Sequence, residues 1–316
     1  MSRPAILALG SVNADFQVRI NVPLSGGATL MGHDFCRLSG GKAANVAFLA
    51  RRLSADALLV ACVGQDDLAD QALGPLREAG VDLRFVTRQP TSTGTSLIVV
   101  PPDGKKSIVL AANANDHWEG ESVNAMRQAI AQAHEQSIVV VDYEMDARVA
   151  AQAIRLAGDR HLRVVLDPSP AERIDRDVLP HVYATTPNVH EAQALTGIEI
   201  SDAASAISAA RRFLDWGVTV ACIKLSDGGC VAAGKDWGIS VPSPDTHAVD
   251  ATGAGDAFTA AFATSLLQGG DAVQAACWGV AASSHAVGHY GSQPAYPSRA
   301  DIDRQLPGLR QTMQRH

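Results

Sequence analysis

The run Asp250-Ala251-Thr252-Gly253-Ala254-Gly255-Asp256 sets small residues and a carboxylate at the mouth of a helix, a combination suited to phosphoryl transfer. The stretch after it, 255–268, is rich in good helix formers and ends at Gly269-Gly270. Amides at a helix start have no intrahelical partner and together carry about half a positive charge, so backbone alone can hold a phosphate there. Gly253, Ala254 and Gly255 would let it come close, and Asp256, in the first turn, is the candidate general base. The same seven residues would also serve as ordinary helix capping.

Further polar residues follow apolar runs. Gly10-Ser11-Val12-Asn13-Ala14-Asp15 places an amide and a carboxylate on one side of an extended segment, where they suit neighbouring sugar hydroxyls; a polar turn is the competing reading. Gly40-Gly41-Lys42-Ala43-Ala44-Asn45 enters a second helix with Asn45 in its first turn. It is not a G-x-x-x-x-G-K-[ST] phosphate loop, because Cys36 stands at the first glycine and Ala43 at the hydroxyl. Glu144 follows a run ending at Val141-Asp142. Thr186-Pro187-Asn188-Val189-His190-Glu191 follows a short strand near Tyr183; Glu191 suits a water-mediated Mg²⁺, and Asn188 with Glu191 equally suits a helix cap. Lys224-Leu225-Ser226-Asp227-Gly228-Gly229 is a tight turn that would present backbone to a nucleotide or simply close a hairpin.

These motifs need elements to carry them. Continuously apolar runs at 6–9, 57–61, 138–141, 164–166 and 218–223 read as strands buried on both faces. Amphipathic stretches at 43–54, 67–79, 121–135, 147–158, 202–216, 255–268 and 271–287 read as helices between them, with another at 299–314. The expected class is α/β, a doubly covered, mostly parallel sheet with ligands beyond the carboxyl ends of its strands. Residues 14–38 and 92–112 break the rhythm with alternating strands, including 96–100 and 107–110 joined by a turn at 101–104. They are expected to form a small β-sheet lid, or an edge extension or dimer contact, on a core made of 1–13, 39–91 and 113–316. Arg19, Arg37, Lys105 and Lys106 on that lid read as solvated charges.

With 316 residues and a hydrophobic content of 47%, the chain can bury a substantial core. A net charge of -7 and no long basic cluster argue against a nucleic-acid surface. No apolar run reaches membrane-spanning length, and Met1-Ser2-Arg3-Pro4 runs into a strand rather than a signal peptide, so a cytoplasmic place is expected. Cys36, Cys62, Cys222, Cys230 and Cys277 lack paired metal spacing and are expected to be free thiols.

Gly40–Asn45 and Asp250–Asp256, in that order, resemble the two signature regions of the ribokinase-like, or phosphofructokinase-B type, family of carbohydrate kinases. The resemblance extends over nearly the whole chain through Ala112-Asn113-Ala114-Asn115 and Gly291-Ser292-Gln293-Pro294. It implies an ATP-dependent kinase acting on a small unphosphorylated sugar, with Asp256 as base and the backbone of 253–256 as anion hole. Asn13, Asp15, Gly41, Lys42, Asn45 and Glu144 would hold the sugar. Asn188, Lys224, Ser226, Gly228, Gly229 and Gly255 would contact ATP, and the adenine would pack near Val280 and Ser283. Mg²⁺ would bridge the phosphates. A monovalent cation, usually K⁺, would sit on Asp250 and the carbonyls of Thr252, Ala286, His289 and Gly291. Family members often pair through their lids, so a homodimer is implied.

The chain departs from the family pattern at Ala295, where a serine commonly completes the cation site, at Ser226 for a glycine, at His289 for a bulkier basic residue, and across 16–38. Asp15 and Glu144 would repel an anionic sugar, which favours ribose and leaves a nucleoside, fructose or a 2-keto-3-deoxy sugar acid as alternatives. A non-catalytic binding module on the same fold is a further alternative. A nicotinamide dehydrogenase lacks its G-x-G-x-x-G signal.

Overall fold

The computed structural model describes residues 3–24, 27, 29–102 and 106–316. Met1, Ser2, and the Asp103, Gly104 and Lys105 of the expected turn and lid charges lie outside the described residues. A ten-stranded sheet forms the centre. Its parallel part comprises β1 (Ile6–Leu9), β4 (Ala57–Gly64), β5 (Asp82–Gln89), β8 (Ile138–Val141), β9 (Arg163–Leu166), β10 (Ala184–Thr185) and β11 (Val220–Lys224). Antiparallel β12 (Cys230–Gly234), β13 (Trp237–Val241) and β14 (Gln314–Arg315) extend one edge, in the order β14-β13-β12-β11-β10-β9-β8-β1-β4-β5.

Alternation along the strands explains the double covering. Ile6, Ala8, Leu59 and Ala61 point into one buried cluster, while Leu7, Leu9, Leu58 and Val60 point into another on the opposite face. The first cluster packs under α1 (Lys42–Arg52), α2 (Asp67–Glu78), α7 (Ala254–Leu267), α8 (Ala272–Val287) and α9 (Arg299–Thr312). The second packs under α3 (Glu121–Gln132), α4 (Ala147–Asp159), α5 (Val189–Thr196) and α6 (Ala203–Asp215). Helix α7 is buried on all sides from Asp256 to Leu266, as a central helix must be when its polar face is missing. Gly279 of α8 permits its close approach, because a Cβ there would lie 2.7 Å from the Phe258 ring.

A second sheet holds β2 (Asn13–Ile20), β3 (Gly32–Gly40), β6 (Gly94–Val100) and β7 (Ser107–Ala111), in the order β3-β2-β6-β7. Strands β2 and β6 run parallel with Asp15 opposite Ser96, and the outer pairs are antiparallel. Strand β2 follows β1 after three residues, so this sheet springs from the carboxyl end of the central one. On one face Asn13, Asp15, Gln17, Ser96 and Ile98 are buried; on the other Phe35, Leu97 and Val109 stand exposed. All five cysteines are free, four buried and Cys36 half-buried on β3.

Candidate active site

Two of the helices that meet here begin at glycine without a side-chain cap. Helix α1 starts after Gly41 at φ 91°, and α7 after Gly253 at φ 72°, both in the left-handed region that favours glycine. In contrast, α2, α4, α5, α6, α8 and α9 are each capped by a side chain; α3 also starts at an uncapped glycine. At α7 the carboxylates are spent elsewhere. Asp250 accepts the Thr252 amide at 2.8 Å and its hydroxyl at 2.6 Å, while Asp256 turns toward α1. Ordinary capping therefore does not account for the 250–256 run, and the first amides of α7 lack side-chain acceptors.

Asp256, 8% exposed, accepts from Asn45 Nδ2 at 2.7 Å and from Lys42 Nζ at 3.3 Å. Gln293 Nε2 holds the Asn45 amide oxygen at 3.1 Å, which orients Asn45 as donor toward Asp256. Tyr296 donates to the Gly253 carbonyl at 3.1 Å, and a Cβ on Gly253 would come within 2.6 Å of that hydroxyl. The segment 292–296 thus buttresses both helix starts.

Beneath the second sheet lies a cluster of buried polar and acidic side chains. Asn115 donates to Asn13 Oδ1 at 2.8 Å, Ser11 donates to Glu144 Oε2 at 3.2 Å, and Ser11 also accepts the Lys42 amide at 2.9 Å. Burial raises the Asp15 carboxyl from 3.8 to about 7, Ser96 pulling it down while Asp256 and Glu144 push it up; its Oδ1 is buried without a hydrogen-bond partner. Gly40 is required beside it, since a Cβ there would meet Asp15 Oδ2 at 2.0 Å. Burial also raises Glu144, against the pull of Lys42, and raises Asp142, which holds the Ser11 and Glu144 amides at 3.1 and 2.9 Å.

On the other side of Asp256, a cavity of about 470 Å³ opens beyond the carboxyl ends of β10 and β11. Lys42, Asn188, Glu191, Lys224, Ser226, Gly228, Gly229, Gly255 and Ser283 line it. Val280 does not: it is fully buried in the core, while Ser284 and Val287 of the same helix reach the cavity. Asn188 and Glu191 form a capping box, each accepting the other's amide, and burial with Asp167 raises the Glu191 carboxyl. A larger cleft of about 700 Å³, lined by Tyr183, Thr219 and Trp237, lies at the opposite ends of the strands, far from these groups.

Asp167, unread in the sequence, links the two sides. It accepts from Lys224 Nζ at 3.1 Å and Thr259 Oγ1 at 3.1 Å, with Lys42 Nζ 3.8 Å from its other oxygen. Burial alone would raise Asp167, but Lys224 and Lys42 hold it below the usual carboxylate range. Burial would lower Lys42, and Asp167, Asp256 and Glu144 instead raise it well above the usual lysine range. The strand-end position that pointed to Glu144 also fits Asp167, directly after β9. Gln17 was likewise missed, although its spacing from Asn13 and Asp15 continues their face.

The expected cation residues are neighbours. Gly291 N donates to Asp250 Oδ2 at 3.1 Å, Asp250 N donates to the Val287 carbonyl at 3.1 Å, and the Ala286 carbonyl accepts His289 N at 3.0 Å. Ala295 is 2% exposed and brings a methyl group only. Lys106, expected in solvent, is instead part-buried and donates to Thr252 Oγ1 at 2.6 Å. Among the described residues no cluster of three or more His, Cys, Asp or Glu could hold a metal, and no helix is long and apolar enough to cross a membrane.

Residues 4–299 match the family model for pfkB family carbohydrate kinases. The ribokinase of Haemophilus influenzae is 32% identical over 95% of this chain and 97% of that one. The ribokinase structure from Thermotoga maritima superposes with a TM-score of 0.86 at 26% identity, covering 96% of this chain and 99% of that one. An Arabidopsis thaliana ribokinase complexed with ribose and ATP superposes with a TM-score of 0.84 at 26% identity, with the same coverage.

Proposed function

The chain belongs to the pfkB family of carbohydrate kinases, and from that premise we propose that it transfers the γ-phosphoryl group of ATP to a hydroxyl of ribose. It is an ATP-dependent sugar kinase. One observation carries the choice of acceptor and its place: Asp256 stands between the buried carboxyls of Asp15 and Glu144 and an open cavity, at the uncapped start of α7.

The sugar would lie between Asn13, Asp15, Glu144 and the start of α1 at Gly41, Lys42 and Asn45, with the free Asp15 Oδ1 accepting a hydroxyl. Two carboxyls suit a neutral polyol and disfavour an anionic one. ATP would fill the cavity along Asn188, Lys224, Ser226, Gly228 and Gly229, with Ser283 near the base. In the reaction the sugar oxygen bonds to the γ-phosphorus, the bond to the β–γ bridging oxygen breaks with its electron pair leaving on ADP, and Asp256 takes the hydroxyl proton. The amides of 253–256 answer the phosphoryl charge, so catalysis rests on positioning and electrostatics.

Glu191 lines the nucleotide cavity and Asp167 stands behind Lys224 of that lining, but capping and lysine contacts occupy much of their capacity, which fits a Mg²⁺ reached through water rather than gripped directly. When bound, Mg²⁺ would neutralise phosphate charge. A monovalent cation would rest on Asp250 and the carbonyls of Thr252, Ala286, His289 and Gly291; Ala295 leaves it one ligand short, so we propose weak K⁺ dependence. The exposed Phe35, Leu97 and Val109 support a homodimer through the second sheet, and five free thiols support a cytoplasmic setting.

The test is ATP consumption by the purified protein with Mg²⁺ and K⁺ against ribose, fructose, 2-keto-3-deoxygluconate, adenosine and fructose phosphates. Ribose should lead. Stronger turnover on another acceptor would reassign the substrate, and silence across the panel would return the binding-module reading.

A further inference from the structure

Lys106 immediately precedes β7 in the second sheet, yet its Nζ reaches Thr252 Oγ1 at 2.6 Å, one residue before the glycine that opens α7. That hydroxyl donates onward to Asp250 Oδ1 at 2.6 Å. The carboxylates facing the ammonium are Asp250, Asp256 and Asp15, so it stands where base, anion loop and sugar pocket converge. Other described cations of this sheet are engaged elsewhere: Arg19 lies over the Tyr290 ring at 4.7 Å and Arg37 over Phe16 at 5.5 Å. Gln17 of β2 donates to the Tyr290 hydroxyl, so a second, separate contact brings this sheet onto the 288–291 loop.

A hydroxyl is a modest acceptor for an ammonium, and phosphoryl oxygens at the mouth of α7 would be far stronger. Lys42 cannot supply the same charge freely, because Asp256 and Asp167 already share it. We propose that Lys106 is a catalytic cation delivered by the second sheet, which exchanges Thr252 for the oxygens of the phosphoryl group in flight. The inference rests on the phosphoryl transfer described above. Lys106 forms no bond and moves no proton; it answers charge on the group that passes from the ADP oxygen to the sugar oxygen. Because the charge arrives only with the sheet, closure and chemistry are coupled, and ATP meets an incomplete site while the sheet is open.

The test uses Lys106→Met and Lys106→Arg in the full chain. At saturating ribose and ATP, Lys106→Met should lower kcat about a hundredfold, the scale for losing one transition-state donor, with both KM values held within about threefold. Lys106→Arg should recover part of that loss. Binding of ADP with aluminium fluoride, Mg²⁺ and ribose should weaken in Lys106→Met while binding of ADP alone does not. Unchanged kcat, or equal weakening of the two nucleotide complexes, would overturn the proposal and leave Lys106 as a clamp on Thr252. Wild-type inactivity toward every acceptor would sink the kinase reading itself, whereas an active wild type with an unimpaired Lys106→Met sinks only this inference.

Discussion

Asp15→Asn should stabilise the free protein and weaken its grip on sugar, two effects of opposite sign from one atom's charge. Asp15 is 6% exposed, and burial, the largest cause, lifts its carboxyl from 3.8 to about 7. A native pKa above the unfolded one means the folded chain holds the proton more tightly, so ionising Asp15 costs stability. That cost is absent below about pH 4, grows between 3.8 and about 7, and is full above it. At about 1.4 kcal/mol per pH unit the full cost is about 4 kcal/mol, an upper figure because bound sugar and cations offset it. The neutral amide escapes it. For a chain of this size a stabilisation of that order raises the thermal midpoint by several degrees, at about 2 °C per kcal/mol. Scanning calorimetry of wild type and variant at pH 8.5, 7, 5.5 and 4 should give a gain that is largest at alkaline pH and fades toward pH 4. In ribose kinetics the same variant should lose about 10- to 100-fold in kcat/KM, the worth of a charged hydrogen bond. A variant no more stable than wild type at pH 8.5, or one whose gain grows on acidification, would refute the reasoning.

Asp256→Asn should lower kcat by about 10²- to 10⁴-fold with ATP affinity by calorimetry nearly unchanged, since a base acts in the transition state; a threefold loss would remove Asp256 from that role. Glu144→Gln should raise the ribose KM before it touches kcat, and an unaltered KM would mean that the sugar lies elsewhere. Gly253→Ala, placing a Cβ 2.6 Å from the Tyr296 hydroxyl at φ 72°, should cost about 1–3 kcal/mol in urea unfolding and most of the turnover. Asp167→Ala leaves Lys42 and Lys224 facing each other without their shared partner and should destabilise by about 3–5 kcal/mol.

The strands were legible because burial on both faces writes itself as unbroken apolar runs: β1, β4, β8 and β9 fall where those runs lie, whereas α7, expected to be amphipathic, is buried on every side. The candidate site was legible where one rule applied, polar residues after strands, which singled out Asn13, Asp15, Glu144, Asn188 and Lys224. Asp167 obeys the same rule, but a single aspartate before proline and serine carries the local signature of a turn. Lys106 could not be found locally. Its partner Thr252 is 146 positions away, brought near only by the folding of the second sheet over the start of α7. Val280 shows the converse: the family resemblance implied it beside the adenine, yet its side chain points into the core.

Strand β2 continues the chain from β1 into the second sheet, carrying Asn13, Asp15 and Gln17, while Asp256 and the nucleotide cavity belong to helices and turns of the central body. On the proposed assignment, part of the choice of acceptor is therefore written in β2, apart from the stretch that carries the base. On that assignment a lineage can exchange β2 and β3 for other strands and acquire a new acceptor, so long as the sheet still brings Lys106 to the start of α7. The same division offers a route for engineering by grafting, with one constraint: β2 must keep its pairing to β6, because a slip of one residue would turn Asp15 out to solvent.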